Sequence, residues 1–141
     1  MLRVGTVCLS VKDIEKSVKF YCDIGFKPLN GFNEIETLFV TQSGMRLGIV
    51  SYSFYAEDIY GKNPPPADNK FSGVCLTHYA GSKDEVEQYA KLVKDAGGTI
   101  LRGPTDLDWG GYLLYFADFD GNVWEVIYSS DFKVDDKGMR I

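Results

Sequence analysis

One carboxylate stands out among the residues that could do chemistry. Glu125 lies in the apolar run Val123-Trp124-Glu125-Val126-Ile127, so on a strand it shares a face with two apolar side chains. An acidic side chain on an inward face is costly unless it is paired or hydrated. Glu125 is therefore predicted to anchor a ligand, to act as a general base, or to pair with an arginine, with Arg46 as the leading partner.

The cysteines offer a second type of chemistry. Cys8 and Cys75 occupy the same place in two similar segments, Val7-Cys8-Leu9-Ser10 and Val74-Cys75-Leu76-Thr77. If the two segments face each other, the thiols form a metal site, a redox dyad or a pair of small buried side chains. No neighbouring cation favours a thiolate, so two buried thiols are the preferred interpretation.

Aromatic residues in two loops are further candidates for ligand contact. Trp109 precedes Gly110-Gly111, where its indole could stack on a planar ligand or cap the core. Residues 52–70 are rich in aromatics and include Pro64-Pro65-Pro66, which cannot lie inside a central strand. We interpret this segment as a linker whose aromatic side chains form a lid or contact a partner subunit.

The elements that must position these residues occur twice in the same βαβββ order. Module 1 covers about residues 1–51 and module 2 about residues 71–130, with the linker 52–70 between them and a charged tail at 131–141. Helices are predicted at Asp13–Gly25 and Ser82–Gly97, with Asp13 and Ser82 as N-caps. The sequence therefore predicts one α+β domain, 1–141, with eight strands in curved mixed sheets, a cleft between the modules and the helices outside.

Composition argues against several classes of function. The chain has 141 residues, 45% of them hydrophobic, which is enough for a core without disulfides. A formal net charge of -5 without a Lys/Arg cluster argues against nucleic-acid and anionic-membrane surfaces. No apolar run reaches the ~18–20 residues of a membrane span. The odd cysteine count and the lack of a leader predict a cytoplasmic protein.

Two stretches of the chain resemble the vicinal oxygen chelate superfamily, the group of glyoxalase I, the extradiol dioxygenases, fosfomycin-modifying enzymes and bleomycin-resistance binding proteins. Leu9-Ser10-Val11-Lys12-Asp13-Ile14 through Phe20-Tyr21 is similar to the opening strand and helix. Trp109-Gly110-Gly111 and Phe116-Ala117-Asp118-Phe119-Asp120-Gly121-Asn122-Val123-Trp124-Glu125 are similar to the final hairpin. The resemblance implies the two-module glyoxalase/bleomycin-resistance fold, and members of this group share a scaffold rather than one chemistry.

The resemblance also implies four metal-ligand positions, which fall here on Thr6, Gly48, Gly73 and Glu125. Only Glu125 is a good ligand, since a threonine hydroxyl is a weak donor and glycine has no side chain. The sole histidine, His78, is predicted on the face of its strand opposite to Gly73, Cys75 and Thr77, and so away from the metal-ligand positions. We therefore expect no metal and no other cofactor, and we expect the two glycines to leave volume for a larger organic ligand.

The first functional hypothesis is a metal-independent small-molecule binding protein that resembles the bleomycin-resistance type and holds an organic ligand in the cleft. One alternative is a metal-dependent lyase or isomerase resembling glyoxalase I, with Glu125 as its catalytic residue. The other is a non-catalytic regulatory or interaction subunit. A homodimer is expected, because small members of the resembled family often complete their clefts with a second subunit.

Strand alternation and the family mapping together predict the lining of the ligand site. A four-residue connection, Asp118 to Gly121, places Leu114 opposite Glu125, whereas a register shift of one exchanges Tyr112 and Leu114 for Leu113 and Tyr115. The predicted ligand-binding residues are Thr6, Cys8, Ser10, Arg46, Gly73, Cys75, Thr77, Trp109, Tyr112, Leu114 and Glu125.

Overall fold

The computed structural model describes residues 1–68 and 70–141 and confirms the α+β class, with two mixed sheets. The chain divides into two compact units, Met1–Lys70 and Phe71–Ile141. Each unit contains one sheet with a helix packed on it, as the internal repeat predicts. Among the described residues, no helix has the length and apolar character needed to cross a membrane.

Unit 1 contains a three-stranded sheet in the order β1-β3-β2, in which β3 runs parallel to β1 and antiparallel to β2. Its elements are β1 (Thr6–Val11), α1 (Ile14–Asp23), β2 (Glu36–Val40), β3 (Arg46–Ser51) and α2 (Tyr52–Tyr60). Helix α1 begins where predicted, because the Asp13 carboxylate accepts a hydrogen bond from the Lys16 N–H. Its Tyr21 packs against Phe39 of β2, and both side chains are fully buried.

Unit 2 contains a four-stranded sheet in the order β4-β7-β6-β5, with β4 parallel to β7 and the other pairs antiparallel. Its elements are β4 (Cys75–Tyr79), α3 (Lys83–Asp95), β5 (Thr99–Asp106), β6 (Tyr112–Ala117) and β7 (Val123–Tyr128). Ser82 caps α3 by accepting a hydrogen bond from the Glu85 N–H at 3.1 Å, the capping-box spacing seen in the sequence.

Each sheet has a helix face, which packs on α1 or α3, and an opposite face that we call the distal face. Alternation along the strands assigns side chains to one or the other. Phe39 and Leu47 lie on the helix face of unit 1, while Cys8 and Gly48 lie on its distal face. In unit 2, His78 contacts α3, which places its strand neighbours Thr77 and Tyr79 on the distal face.

The predicted count of eight strands is wrong by one in the described chain. In the βαβββ order a strand is expected directly after the helix Asp13–Gly25, but here it is reduced to a single bridge between Pro28 and Phe39 and one hydrogen bond from the Leu29 N–H. Pro28 has no N–H to donate, and Gly31 has a positive φ of 77°, so the segment cannot continue as a regular strand.

Two segments that were expected to be irregular are ordered. Residues 52–60 of the expected linker form helix α2, which ends at Gly61 with a φ of 73°. The expected charged tail folds into a tight hairpin in which Val134 pairs with Arg140. The Asp135 carboxylate accepts hydrogen bonds from the Lys137 and Met139 N–H groups at 2.9 and 2.8 Å and so closes its turn.

Candidate functional site

The distal face of unit 2 carries a carboxylate held by two hydroxyl groups. Thr77 donates to Glu125 Oε1 at 3.1 Å, and Tyr115 donates to Glu125 Oε2 at 2.6 Å. The three residues lie in one row of the sheet, since Glu125 pairs with Thr77 on β4 and with Tyr115 on β6. Each carboxylate oxygen therefore accepts a hydrogen bond from a neutral hydroxyl. These bonds offset the cost of partly burying the Glu125 side chain.

The predicted register of the final hairpin is wrong. Tyr115, rather than Leu114, lies opposite Glu125, because the connection has five residues and not four. The fifth is Asn122, whose N–H and side-chain amide both donate to the Asp118 carboxylate, at 2.9 and 2.8 Å. This loop geometry moves each β6 side chain to the other face relative to the prediction.

Tyr112 and Leu114 consequently face α3 and are not part of the distal face. Leu114 is fully buried, and the Tyr112 hydroxyl donates to Glu87 on α3. The Tyr112 ring also lies under the Lys83 ammonium, 4.9 Å from the ring centroid. Both residues belong to the packing between α3 and the sheet, which corrects their assignment to the ligand site.

The distal face of unit 1 carries a second polar cluster, made by Cys8, Glu36 and Tyr55. The Cys8 thiol donates to Glu36 Oε1 at 3.8 Å, and Tyr55 of α2 hydrogen-bonds to Cys8. Gly48 lies beneath this contact: a Cβ there would lie 3.0 Å from both Cys8 Sγ and Glu36 Oε1. The volume expected at Gly48 for a ligand is therefore filled by side chains of the unit itself.

The cysteines are not the buried pair that the sequence suggested. Cys8 is half-buried and Cys75 is exposed. Partial burial raises the pKa of both thiols, and the charge of Glu36 on Cys8 or of Glu125 on Cys75 raises it further; for Cys8, Tyr55 acts in the opposite direction. Both groups are therefore held as thiols, which agrees with the expectation that neither is a reactive thiolate.

The other strand residues predicted for the site are only partly brought together. Thr6 and Arg46 are Cα partners at the exposed start of the unit 1 sheet. Ser10 lies on the distal face, and its hydroxyl is buried without a hydrogen-bond partner in the described structure. Gly73 precedes β4 with a φ of 84°, so it lies outside the strand on which it was predicted. A leucine at that position would be strained by its backbone conformation.

Trp109 lies in the turn before β6 with its side chain about half exposed. Its indole lies directly over Gly111, where an added Cβ would be only 2.5 Å from a ring carbon. The centroid of the Phe132 ring is 5.8 Å from that of Trp109 and 5.7 Å from that of Tyr79. Trp109 is thus part of a surface aromatic cluster that the C-terminal segment completes.

His78 lies on the helix face, as alternation predicted, and serves the start of α3. Its Nε2 is 2.8 Å from Glu85 Oε1, while Glu85 Oε2 accepts the Gly81 N–H at 2.7 Å. Burial raises the pKa of Glu85, but the hydrogen bonds from Gly81 and His78 outweigh it and hold the pKa below its usual value. This arrangement joins β4 to α3 and is structural.

The residues at the family's ligand positions do not fit a divalent metal ion. Thr6, Gly48 and Gly73 supply no strong donor, and Glu125 is bound by two hydroxyls of its own unit. Across residues 1–68 and 70–141, no group of three or more histidine, cysteine or acidic side chains could hold a metal.

Among the residues of these clusters, Glu36 was not found from the sequence, and Tyr55 was noted only as one of the aromatic residues of the 52–70 linker. Glu36 alternates with Leu38 on β2, and this alternation could have indicated its face. Tyr115 was the stated outcome of a one-residue shift in register. Tyr55 lies on a helix that no sequence pattern indicated.

Comparison with known proteins places these observations in a family. The sequence profile of the Glyoxalase/Bleomycin resistance protein/Dioxygenase superfamily matches residues 3–126. A protein of Synechocystis sp. named "Probable lactoylglutathione lyase" is 26% identical over 141 aligned residues, covering 94% of this chain and 95% of its own length.

Solved structures of this family share the fold. A glyoxalase-related enzyme from Fulvimarina pelagi superposes with a TM-score of 0.87 at 23% identity, covering 100% of this chain and 98% of its own. The lactoylglutathione lyase from Agrobacterium tumefaciens superposes with a TM-score of 0.67 at 17% identity, covering 89% and 92%. At these identities, the likeness concerns the fold rather than the activity.

Proposed function

The chain belongs to the Glyoxalase/Bleomycin resistance protein/Dioxygenase superfamily, and from this membership we propose that it binds a small organic molecule without the help of a metal ion. The proposed site is the distal face of unit 2, where Glu125, Thr77 and Tyr115 form the polar row described above. Cys75 lies on the same face, and Trp109 lies in the turn before β6. The ligand is expected to carry an N–H or O–H group and a planar or apolar part.

The observation that carries this proposal is that the hydrogen-bond acceptor positions of the Glu125 carboxylate are only partly occupied. A carboxylate has about four acceptor positions, and the hydrogen bonds from Thr77 and Tyr115 occupy two of them. The remaining positions can accept hydrogen bonds from a ligand. Because Thr77 and Cys75 are exposed and Glu125 is only half-buried, a small molecule has access to the row.

The donor set supports a function that does not require a metal. A first-row divalent ion needs about three or four converging His, Cys or carboxylate ligands, and three of the four family positions here lack one. Affinity would then come from hydrogen bonds, aromatic contact and shape.

A thermal-shift screen with organic molecules, followed by native mass spectrometry, tests the proposal. A ligand at ~100 times its Kd stabilises the protein by about 2.7 kcal/mol and raises Tm by several degrees. Glu125→Gln should abolish most of this shift, whereas Glu34→Gln, which alters an exposed carboxylate in unit 1, should preserve it. An equal shift in both variants would place the ligand elsewhere.

The second candidate function is a lyase, and the similarity to the Synechocystis protein named "Probable lactoylglutathione lyase" favours it. An assay for formation and breakdown of lactoylglutathione, run with and without added Zn²⁺, Ni²⁺ or Mn²⁺, separates the two. Metal-dependent turnover that Glu125→Gln abolishes would replace the binding function. If the assay shows no turnover and the screen finds no ligand, the third alternative, an interaction subunit, remains.

We also propose that the protein is a homodimer. Helix α2 exposes Phe54, Ile59 and Tyr60, and a second copy of this chain would bury such apolar side chains. This proposal extends the interpretation of residues 52–70 as a segment that contacts a partner subunit.

A further inference from the structure

The C-terminal segment contacts one end of the distal face of unit 2 through Phe132. Ile127 and Leu113 lie on that face yet are almost fully buried, in contrast to the exposed Thr77. Tyr79 follows Thr77 on the same face at a distance of ~7 Å along the strand, and its ring packs edge-on against Phe132. On β4, Tyr79 therefore connects the row of Glu125 to the C-terminal segment.

Arg140 is held at the end of this surface by the fold of the hairpin. Its guanidinium carbon lies 4.1 Å from the centroid of the Phe132 ring, a cation–π geometry. The Val134–Arg140 bridge and the hydrogen bond from the Ile141 N–H to the Lys133 carbonyl fix the backbone on either side. In the described chain, no ion pair joins Arg140 to a carboxylate, so its N–H donors stay available.

Trp109 gives the same end of the surface a flat apolar wall. The indole packs on Gly111 and at a tilt of 37° to the Phe132 ring, with 53% of the residue exposed. An exposed indole and a guanidinium that both lie against Phe132 offer a ring-stacking contact and a planar anion contact at the same end of the face.

We propose that Trp109, Phe132 and Arg140 form the end of the ligand site that recognises a planar aromatic carboxylate, with the ring against Trp109 and the carboxylate on Arg140. This inference rests on the proposed function, because it gives the ligand that donates to Glu125 an aromatic carboxylate at its other end. It makes the C-terminal hairpin a specificity-determining part of the molecule.

Titration of the full chain with three probes, followed by NMR, tests the class of ligand. The probes are 1-naphthoate, its uncharged analogue 1-naphthamide and the non-aromatic cyclohexanecarboxylate. The Trp109 indole N–H signal should shift saturably with 1-naphthoate, while that of the buried Trp124 should not. Each of the other two probes should bind about tenfold more weakly, since each lacks one of the two contacts.

Variants of the hairpin test the role of Arg140. Arg140→Gln should weaken 1-naphthoate about tenfold, and Arg140→Lys should recover part of the affinity. Lys137→Gln is the matched control, because it removes the same charge from the exposed turn of the same hairpin. Backbone NOEs across the bridge between residues 134 and 140 in the free variants verify that the hairpin is still folded.

Two outcomes would overturn the proposal. One is equal affinity for 1-naphthoate in Arg140→Gln and Lys137→Gln, and the other is no shift of the Trp109 indole at millimolar probe. If a screened molecule still binds in a Glu125-dependent manner in either case, only the ligand class fails. If no molecule binds in that manner, the proposed function itself fails.

Discussion

At the scale of single residues, Gly48 decides how the distal face of unit 1 is filled. The Cys8 thiol and the Glu36 carboxylate meet above it, in space that any other residue would occupy with a Cβ. Metal-dependent relatives are expected to carry a bulky metal-ligating side chain at this position, whereas here the glycine lies beneath the contact between two side chains. The sequence showed that the metal-ligating side chain was missing, but it did not show which side chains fill its space.

Gly48→Ala tests this arrangement. The added methyl group would lie 3.0 Å from both side chains, so the variant should be destabilised by about 1 kcal/mol in urea unfolding. The cost should fall by ~0.5 kcal/mol or more in a Cys8→Ala background, because the two sites are coupled. Gly5→Ala, which has no atom within 4 Å of the added group, should stay within ~0.5 kcal/mol of the parent. Additive effects of Gly48→Ala and Cys8→Ala would argue against the contact.

Tyr115 has a pKa that reports on its bond to Glu125. The hydrogen bond, partial burial and the charge of Glu125 raise the pKa from 10.0 to about 12. Because the folded pKa lies above the unfolded one, the bond's contribution to stability is complete below pH 10 and is lost as the pH rises towards about 12.

Glu125→Gln should return Tyr115 towards its ordinary pKa, as measured by NMR of ring-labelled tyrosine. Tyr112, raised to about 12 mainly by its bond to Glu87, supplies an internal control. Glu87→Gln should lower the pKa of Tyr112 and leave Tyr115 unchanged. If Glu125→Gln shifts both tyrosines or neither, the assignment of the Tyr115–Glu125 bond is wrong.

At the scale of elements, the sequence predicted the features that depend on local signals, namely side-chain periodicity and helix caps. Helices α1 and α3 begin at Asp13 and Ser82 because those side chains bond the first-turn N–H groups, a signal that is local and chemical. The register of β6 on β7 depends instead on how the Asp118 carboxylate folds the connecting loop around Asn122. Helix α2 was missed because Ser51 makes no side-chain cap bond and the triple proline that follows dominates the pattern.

The junction of β4 and α3 should make stability depend on pH through Glu85. The folded-state pKa of Glu85 lies below the ordinary 4.5, so its contribution is present above pH 4.5 and is lost as the pH falls through the folded value. The difference in unfolding free energy between the parent and Glu85→Gln should therefore narrow as the pH falls from 5 towards 3. Urea unfolding at each pH measures it, with Glu34→Gln as a control that should show no such narrowing. A difference independent of pH would contradict the role given to Glu85.

At the scale of the whole molecule, the family assignment follows from the pattern of elements and the profile match over residues 3–126. The proposed ligand site could be predicted only in part, because Glu125 and Thr77 alternate on predicted strands whereas Phe132 and Arg140 lie in a hairpin that the composition had marked as a charged tail.

The proposed homodimer has a direct test on α2. The parent should sediment at micromolar concentration at twice the mass of the 15.8 kDa chain. Ile59→Lys, which places a charge on the exposed side of α2, should give the monomer because a buried unpaired charge is costly. Leu92→Lys makes the same change on the exposed side of α3 and should remain a dimer. A parent that sediments as a monomer would exclude the dimer at this concentration.

The segments that follow β3 and β7 differ although the two strands are equivalent in the repeat. After β3 the chain turns into α2, whose Tyr55 reaches Cys8, and after β7 it forms a hairpin whose Phe132 reaches Tyr79. The two copies of the repeat thus differ in the segment that follows the last strand, while both sheets are retained. For directed evolution, libraries confined to residues 131–141 should alter ligand preference while both sheets are retained, because this stretch supplies no strand to either sheet.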